Sequence, residues 1–268
     1  MANKMRSGLS TLGIIIGMTS VVVMMAIGQG TENSITKTMG DMAKNKISIS
    51  SNGGYSSWDE KNDKPGGYVQ EVKFDKTLVP YIENYFPELS WKITYQVRAP
   101  YGQVKIKQKT DAVEGVGVPE NWFTLNEKKL AEWTFFTKEN YEKKSFVAIV
   151  NDGFKNSFFK KGSPIGKKFM YNNKEFTIIW VLGKEEFSRW VQAYMPDTTV
   201  TERIIHKNTV NSFDVFLSPE DDNKLWQNRL SYLLLKRYNK TSMSNAGFRI
   251  ESFADMVEQM KKSLQGMK

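Results

Sequence analysis

The hydrophobic pattern near the start of the chain is that of a membrane-spanning helix. Residues Leu9–Ile27 carry no charged side chain, and a helix of this length reaches about 28 Å, close to the thickness of the hydrocarbon core of a bilayer. Lys4 and Arg6 precede this run, and Glu32 is the first charged residue after it. The positive-inside rule therefore places the N-terminus in the cytoplasm and everything from Gln29 onward outside.

A cleavable signal peptide is the alternative, because basic residues, an apolar run and Ala26-Ile27-Gly28 imitate its three regions. The run exceeds the apolar stretch of about 7 to 15 residues that is typical of such peptides, which favours a retained anchor. Gly13 and Gly17 lie four residues apart, on one face of the helix. Two interpretations of this pair stay open: a face against which a neighbouring helix packs, and a face that simply tolerates lipid.

Beyond the apolar run, the spacing predicts a stalk and then a globular domain. Ile35, Met39 and Met42 recur at helical spacing, and period-two alternation begins a strand at Ile47 and Ile49. Strand-like alternation recurs in segments 92–98, 103–109, 112–118, 146–150, 175–182, 213–217 and 248–250.

Two core-facing helices interrupt these strands. Asp75 is predicted to cap a helix that runs to Tyr85, and Ser218-Pro219 is predicted to start another. The second helix carries the apolar residues Leu225, Trp226 and Leu230. Because helices and strands alternate irregularly, the fold class is α+β.

The composition narrows the chemistry of the chain. The net charge is +9, but the lysines are scattered, which indicates a solvated surface rather than a nucleic-acid footprint. Cysteine is absent and His206 is the single histidine, which excludes a thiolate metal site and nearly excludes imidazole-based zinc chemistry. Gly162–Lys168 has three residues between its glycines and Lys where a phosphate loop has Ser or Thr, and it is predicted to be a turn. No catalytic residue, cofactor site or metal site is predicted.

Three stretches resemble the MacB-type ABC transporter permeases, which are FtsX-like permeases. They are Asn3–Gly30, which contains Gly13 and Gly17; Phe146–Ile179, which contains Pro164, Ile165, Gly166 and Lys167; and Met195–Thr199. Their order and spacing are similar to those of the family, in which the second stretch includes a structural turn at Pro164–Lys167. The third resembles the segment where the family's chain returns toward its membrane-proximal subdomain.

The resemblance implies one N-terminal transmembrane helix followed by a mixed α/β extracytoplasmic domain with two lobes. Its expected boundaries are a cytoplasmic segment 1–8, the membrane helix 9–28, the core domain 29–262, and residues 263–268 approaching a second membrane helix. Within the core domain, residues 33–122 and 204–262 would form a membrane-proximal lobe, and residues 123–203 an inserted lobe.

The resemblance also implies a function in the cell membrane. The chain would be a permease subunit or fragment whose outer domain couples ATPase-driven motion to export of a drug, peptide or lipoprotein. Its partners would be an ABC ATPase that hydrolyses ATP, the remaining permease helices, a second permease copy, a periplasmic adaptor and membrane lipid. The family has four membrane helices, whereas this sequence has one apolar run and no P-loop. The alternative is a single-pass anchored binding module that acts without an ATPase.

Two tryptophans depart from the family pattern. Trp133 and Trp180 stand where the resemblance expects glycine, the residue used where the backbone needs a positive φ or a close approach. Either each tryptophan fills a gap or lies on the surface, or both are encoded by UGA, which some bacteria read as glycine. UGG codons at both positions would exclude the second interpretation.

Overall fold

The structure is a computed structural model that describes residues 12–26, 45–52, 54–55, 68–106, 108–128, 135–159, 162–183, 190–253, 255 and 262–263. The chain divides into two compact units. The first comprises Met1–Asn45 with Ser252–Lys268, and the second is Lys46–Glu251.

The described part of the first unit contains one long helix, α1, at residues 12–26. Among the helices that the structure describes, none is both long and apolar enough to cross a bilayer. The ends of the predicted span Leu9–Ile27 and the predicted stalk residues lie outside the described residues. Gly13 and Gly17 are part of α1, and a Cβ atom at either would meet no atom within 4 Å.

The second unit is built on a ten-stranded mixed sheet. Its order is β12-β1-β11-β4-β6-β10-β7-β9-β8, with β5 paired to β6, and β2 and β3 form a separate pair. The strands are β1 Lys46–Ser51, β2 Gly54–Tyr55, β3 Tyr68–Val69, β4 Ile93–Arg98, β5 Gly102–Ile106, β6 Lys109–Val118, β7 Val147–Val150, β8 Lys168–Tyr171, β9 Lys174–Val181, β10 Gln192–Pro196, β11 Ser212–Phe216 and β12 Phe248–Ser252.

Within the described part of this unit, six α-helical segments accompany the sheet. They are α2 Leu78–Tyr85, α3 Trp122–Leu125, α4 Lys138–Glu142, α5 Asp152–Phe158, α6 Asp197–Thr199 and α7 Asn223–Arg237. A π-helix, Val200–Ile204, continues α6, and short 3₁₀ turns follow α2 and α7. The mixed sheet with its helices confirms the predicted mixture of α and β structure.

The alternation of β1 shows why the sheet has a buried face. Ile47 and Ile49 are fully buried and lie opposite Val215 and Phe213 of β11. They share one face of the sheet because successive strand residues point to opposite faces. Helix α7 contributes four buried side chains to the core, Trp226, Leu230, Leu233 and Leu234. A separate apolar cluster joins β6, α3, β7 and β10 through Val116, Val118, Trp122, Phe123, Ile149 and Tyr194.

The first and last strands of this unit are neighbours in the sheet. The amide N–H of Asn52, just after β1, donates to the carbonyl oxygen of Gly247, just before β12, at 3.0 Å. This bond sets the end of β1 beside the start of β12, so the two strands run antiparallel. The chain therefore enters and leaves the folded unit at the same end of the sheet.

Both predicted helices exist with different starts. Helix α2 begins at Leu78, and the Asp75 carboxylate accepts a hydrogen bond from the amide of Thr77 at 2.8 Å. Ser218-Pro219 does not start α7, because Asp222 is its N-cap and accepts from the amides of Lys224 and Leu225. Leu225 was predicted to face the core and is 48% exposed instead, since it lies in the first turn, away from the buried stripe of α7.

The tryptophan positions differ in their surroundings. Trp133 lies outside the described residues. Trp180 is partly buried against the second cluster and lies opposite Ile149, next to a register shift between β7 and β9. Among the tryptophans that the structure describes, Trp91 is the one with a left-handed backbone conformation. Its φ is +60°, and its side chain is 69% exposed. The codon hypothesis for Trp133 and Trp180 stays a prediction.

The conformation of Trp91 predicts that Trp91→Gly stabilises the domain. A left-handed φ costs an L-residue roughly 1 to 2 kcal/mol, which glycine avoids. An exposed tryptophan loses little burial on removal, so we expect a net gain of about 1 kcal/mol, measured by urea unfolding of the two proteins. Trp190 is the matched control, because it is 64% exposed and has no positive φ. A gain for Trp190→Gly equal to that for Trp91→Gly would contradict this account.

Candidate functional site

The most polar part of the interior lies just after strand β10. This strand runs parallel to β6 in the middle of the sheet, and Pro196 is its last residue. The turn α6 and the π-helix then follow without a break. They lie close to β6 because Gly117 has no side chain: a Cβ there would be 2.9 Å from Val200 Cβ and 3.1 Å from Asp197 Cα.

Asp197 is the central residue of this junction. Its side chain is 5% exposed and forms an ion pair with Lys76 at 2.5 Å, while the Tyr95 hydroxyl donates a hydrogen bond to it at 2.8 Å. Lys76 comes just before α2 and Tyr95 lies on β4. One carboxylate therefore connects the end of β10 to two other elements, and the ion pair offsets the cost of burying its charge.

Two tyrosines near Asp197 are held in their protonated form. Burial raises the pKa of Tyr95 far above its usual value, and the neighbouring Asp197 carboxylate raises that pKa further. Burial likewise raises the pKa of Tyr141, again with a contribution from Asp197. Because a neutral phenol can donate, the Tyr95 hydroxyl serves as a hydrogen-bond donor to Asp197 over the physiological pH range.

Three threonine hydroxyls hold the backbone around Asp197 in place. The hydroxyls of Thr198 and Thr199 donate to the carbonyl oxygens of Tyr141 and Ser145, at 2.8 and 3.0 Å. The Thr201 hydroxyl donates to the carbonyl oxygen of Asp197 at 2.9 Å. These bonds satisfy buried polar groups that would otherwise be costly. They tie the junction to α4 and to the loop that precedes β7.

An open cavity of about 590 Å³ lies beside this network. It is lined by polar residues from the start of α2, from the π-helix and from the loop that follows: Lys76, Thr201, Glu202, His206, Lys207 and Asn208. Glu202 is paired with Lys144, which holds the pKa of that carboxyl below its usual value. His206 has a left-handed φ of +51° and an exposed side chain.

The side chains that line the cavity are polar and partly charged. Among the residues that the structure describes, no group of three or more His, Cys, Asp or Glu is placed to hold a metal ion. Lys76 and Asp197 neutralise each other, and His206 is an exposed residue of the cavity lining. What the cavity offers is an array of hydrogen-bond donors and cationic side chains.

The residues singled out from the sequence lie elsewhere. Pro164, Ile165, Gly166 and Lys167 form a turn between α5 and β8. Gly166 has a φ of +77°, and its amide donates to Ile178 of β9 at 2.7 Å. Lys167 donates from its amide to Pro164 at 3.0 Å, closing the turn. Gly13 and Gly17 belong to α1 in the first unit.

Sequence reasoning did not identify the polar network itself. Asp197 was part of the Met195–Thr199 resemblance, but Lys76 and Tyr95 were not connected with it. They are more than 100 residues away in the chain, at separations that no local pattern reveals. The available signal was an aspartate directly after the end of an apolar strand, followed by threonines at three of the next four positions.

Comparison with known proteins gives the family of the chain. A family model for the MacB-like periplasmic core domain matches residues 7–232, which is well over half of the chain. The chain therefore belongs to the family of MacB-like periplasmic core domain proteins, and the resemblance to MacB-type permeases is confirmed.

Full-length relatives are transporter components. The macrolide export ATP-binding/permease protein MacB of Neisseria gonorrhoeae is 26% identical over 99% of this chain and 39% of its own length. MacB of a Shewanella species is 28% identical over 81% of this chain and 32% of its own length. The chain thus spans about two fifths or less of the length of these relatives.

Solved structures share the fold. The periplasmic region of MacB from Actinobacillus actinomycetemcomitans superimposes with a TM-score of 0.61 at 18% identity, covering 85% of this chain and 98% of that one. The extracellular domain of the noncanonic ABC-type transporter YknZ from Gram-positive bacteria gives 0.58 at 13% identity, covering 77% and 100%. The domain therefore has the fold of an extracytoplasmic transporter domain.

Proposed function

We propose that this chain is a permease subunit, or a fragment of one, of a MacB-type ABC transporter and that its outer domain couples ATP-driven motion to export. Family membership over residues 7–232 carries the proposal. ATP would be hydrolysed by a partner ABC ATPase, and the cargo would belong to the drug, peptide or lipoprotein class. The chain would lie in the cell membrane with its N-terminus in the cytoplasm, and would assemble with the remaining permease helices, with a second permease copy and with an adaptor.

The layout of the folded unit supports this role. Because β1 and β12 are antiparallel neighbours, the chain enters and leaves the domain at one end of the sheet. A domain placed between two membrane-directed segments requires this arrangement.

An ATPase assay tests the proposed coupling. The chain is produced together with a candidate partner ABC ATPase and the remaining permease segments, and ATP hydrolysis is measured in membrane vesicles. We expect the assembled complex to lose most of its cargo-stimulated hydrolysis when residues 46–251 are deleted, while basal hydrolysis is retained. Stimulation that persists without the domain, or an ATPase that never co-purifies with this chain, would contradict the proposal. The second result would favour a binding module that acts without an ATPase.

Gly13 and Gly17 give a test of assembly within the membrane. If their shared face seats a neighbouring helix, Gly13→Leu with Gly17→Leu should abolish co-purification with the other permease segments, because leucine keeps the backbones apart. Gly13→Ala with Gly17→Ala is the matched control, since a small side chain still permits close approach. Insertion into the membrane should be unchanged in both. Equal recovery of partners with the leucine and alanine pairs would show that this face meets only lipid.

A further inference from the structure

We infer that the cavity beside the π-helix, which we call the Lys76 cavity, binds a small anionic group, a phosphate or a carboxylate. The Lys76 cavity is lined by Lys76, Thr201, Glu202, His206, Lys207 and Asn208. The proposal does not depend on the transport function, because it concerns only side chains within the second unit.

The charges around the Lys76 cavity favour an anion. Lys76 and Lys207 line it, and Lys144 and Arg203 both act electrostatically on Glu202 in its wall. The two carboxylates nearby are already matched, Asp197 with Lys76 and Glu202 with Lys144. Cationic side chains therefore outnumber carboxylates around the cavity. Lys207 lines it and has no ion pair with any of the described residues.

Lys76 provides a donor that its present partners do not use. An ammonium group has three N–H donors. Lys76 directs one to Asp197 at 2.5 Å and one to the Thr201 hydroxyl at 3.2 Å. These two contacts fix the position of the ammonium group on a side chain that is 23% exposed, and they leave one donor for an acceptor in the cavity. A partly desolvated ammonium group forms a stronger hydrogen bond to an anion than a fully hydrated one does.

The backbone keeps the opposite wall in place. The amide of Ile205 donates to Val200 at 2.9 Å, and the amide of Lys207 donates to Thr201 at 3.0 Å. With the left-handed φ of His206, these bonds turn the chain at the end of the π-helix so that the next residues line the same cavity as Lys76. Insertions of π-helix into helices are frequent at functional sites. The site is therefore formed before a ligand arrives, which lowers the entropic cost of binding.

The test is calorimetric titration of the purified full chain in detergent with sodium phosphate and, separately, with sodium acetate. Ionic strength is held constant with sodium chloride, because nonspecific attraction to a basic protein depends on salt. We expect saturable binding of at least one anion, and the comparison of the two titrations identifies the preferred group.

Lys207→Gln is the test variant, because it removes a charge from an exposed position. It should weaken binding about tenfold while leaving the unfolding midpoint without anion unchanged. Lys240→Gln is the matched control, since Lys240 lines a different cavity of about 430 Å³. The affinity of this variant for the anion should equal that of the parent protein. Absence of saturable binding to both anions, or equal affinities in the two variants, would overturn the proposal.

Discussion

Gly247→Ala is expected to cost the domain about 3 kcal/mol or more of its free energy of unfolding. Gly247 has a φ of +73°, and a Cβ at this position would lie 2.1 Å from the carbonyl oxygen of Gln70. Its own carbonyl oxygen accepts from the amides of Asn52 and Val72, each at 3.0 Å. The backbone cannot shift to relieve the clash without weakening both bonds, and these bonds hold β12 and the segment after β3 in place.

Gly166→Ala separates the effect of the clash from the effect of φ. Gly166 has a similar φ of +77°, but nothing lies within 4 Å of a Cβ placed there. Gly166→Ala should lower the free energy of unfolding by only about 1 kcal/mol, the cost of a left-handed conformation for alanine. Urea unfolding followed by circular dichroism compares the two variants with the parent protein. Equal losses in the two variants would show that the contact with Gln70 relaxes freely.

Asp197→Ala is expected to lower the free energy of unfolding by about 3 kcal/mol, the lower end of the range for breaking a buried ion pair. The change leaves the Lys76 ammonium without its carboxylate and the buried Tyr95 hydroxyl without its acceptor. Lys76 is 23% exposed and regains part of its hydration by rotating toward the cavity, which places the loss at the lower end.

An exposed ion pair provides the comparison for Asp197. Lys168 and Glu175 are 2.7 Å apart on neighbouring strands, with side chains 61% and 53% exposed. Glu175→Ala should cost less than about 1 kcal/mol, because water solvates both partners after the pair is lost. Thermal and urea unfolding of the two variants give the difference. A loss for Asp197→Ala no larger than that for Glu175→Ala would mean that the junction is solvated in solution.

Most of the strands could be predicted because their signals are local. Alternation placed eight strands, β1 and seven later ones, and each observed boundary lies within a few residues of its predicted one; segment 213–217, for example, became Ser212–Phe216. Within the ten-stranded sheet, β8 and β10 were missed, for different reasons. In β10, Gln192–Pro196, four of the five residues are buried, so no alternation marks it. β8, Lys168–Tyr171, alternates but has only four residues.

The candidate site was beyond local prediction. The sequence pointed to Pro164–Lys167, which the structure uses as a turn, because glycine and proline mark turns whether or not a function is present. The Lys76 cavity depends on a cation before α2 reaching a carboxylate after β10, and no local pattern in the sequence reveals that proximity. The start of α7 was displaced because Ser218 and Asp222 are both residue types that cap helices, and the structure uses Asp222.

The position of β1 in the sheet has a consequence for biogenesis. Lys46 pairs with Phe216, and the strand's other neighbour, β12, ends at Ser252, so β1 has no partner until nearly the whole domain has been synthesised. At a synthesis rate of about 5 to 20 residues per second, that interval is roughly 10 to 30 s. Pairings of such large sequence separation also fold slowly. During this time the apolar face of β1 is exposed, and the nascent domain depends on a chaperone or on rapid completion of the chain to avoid aggregation.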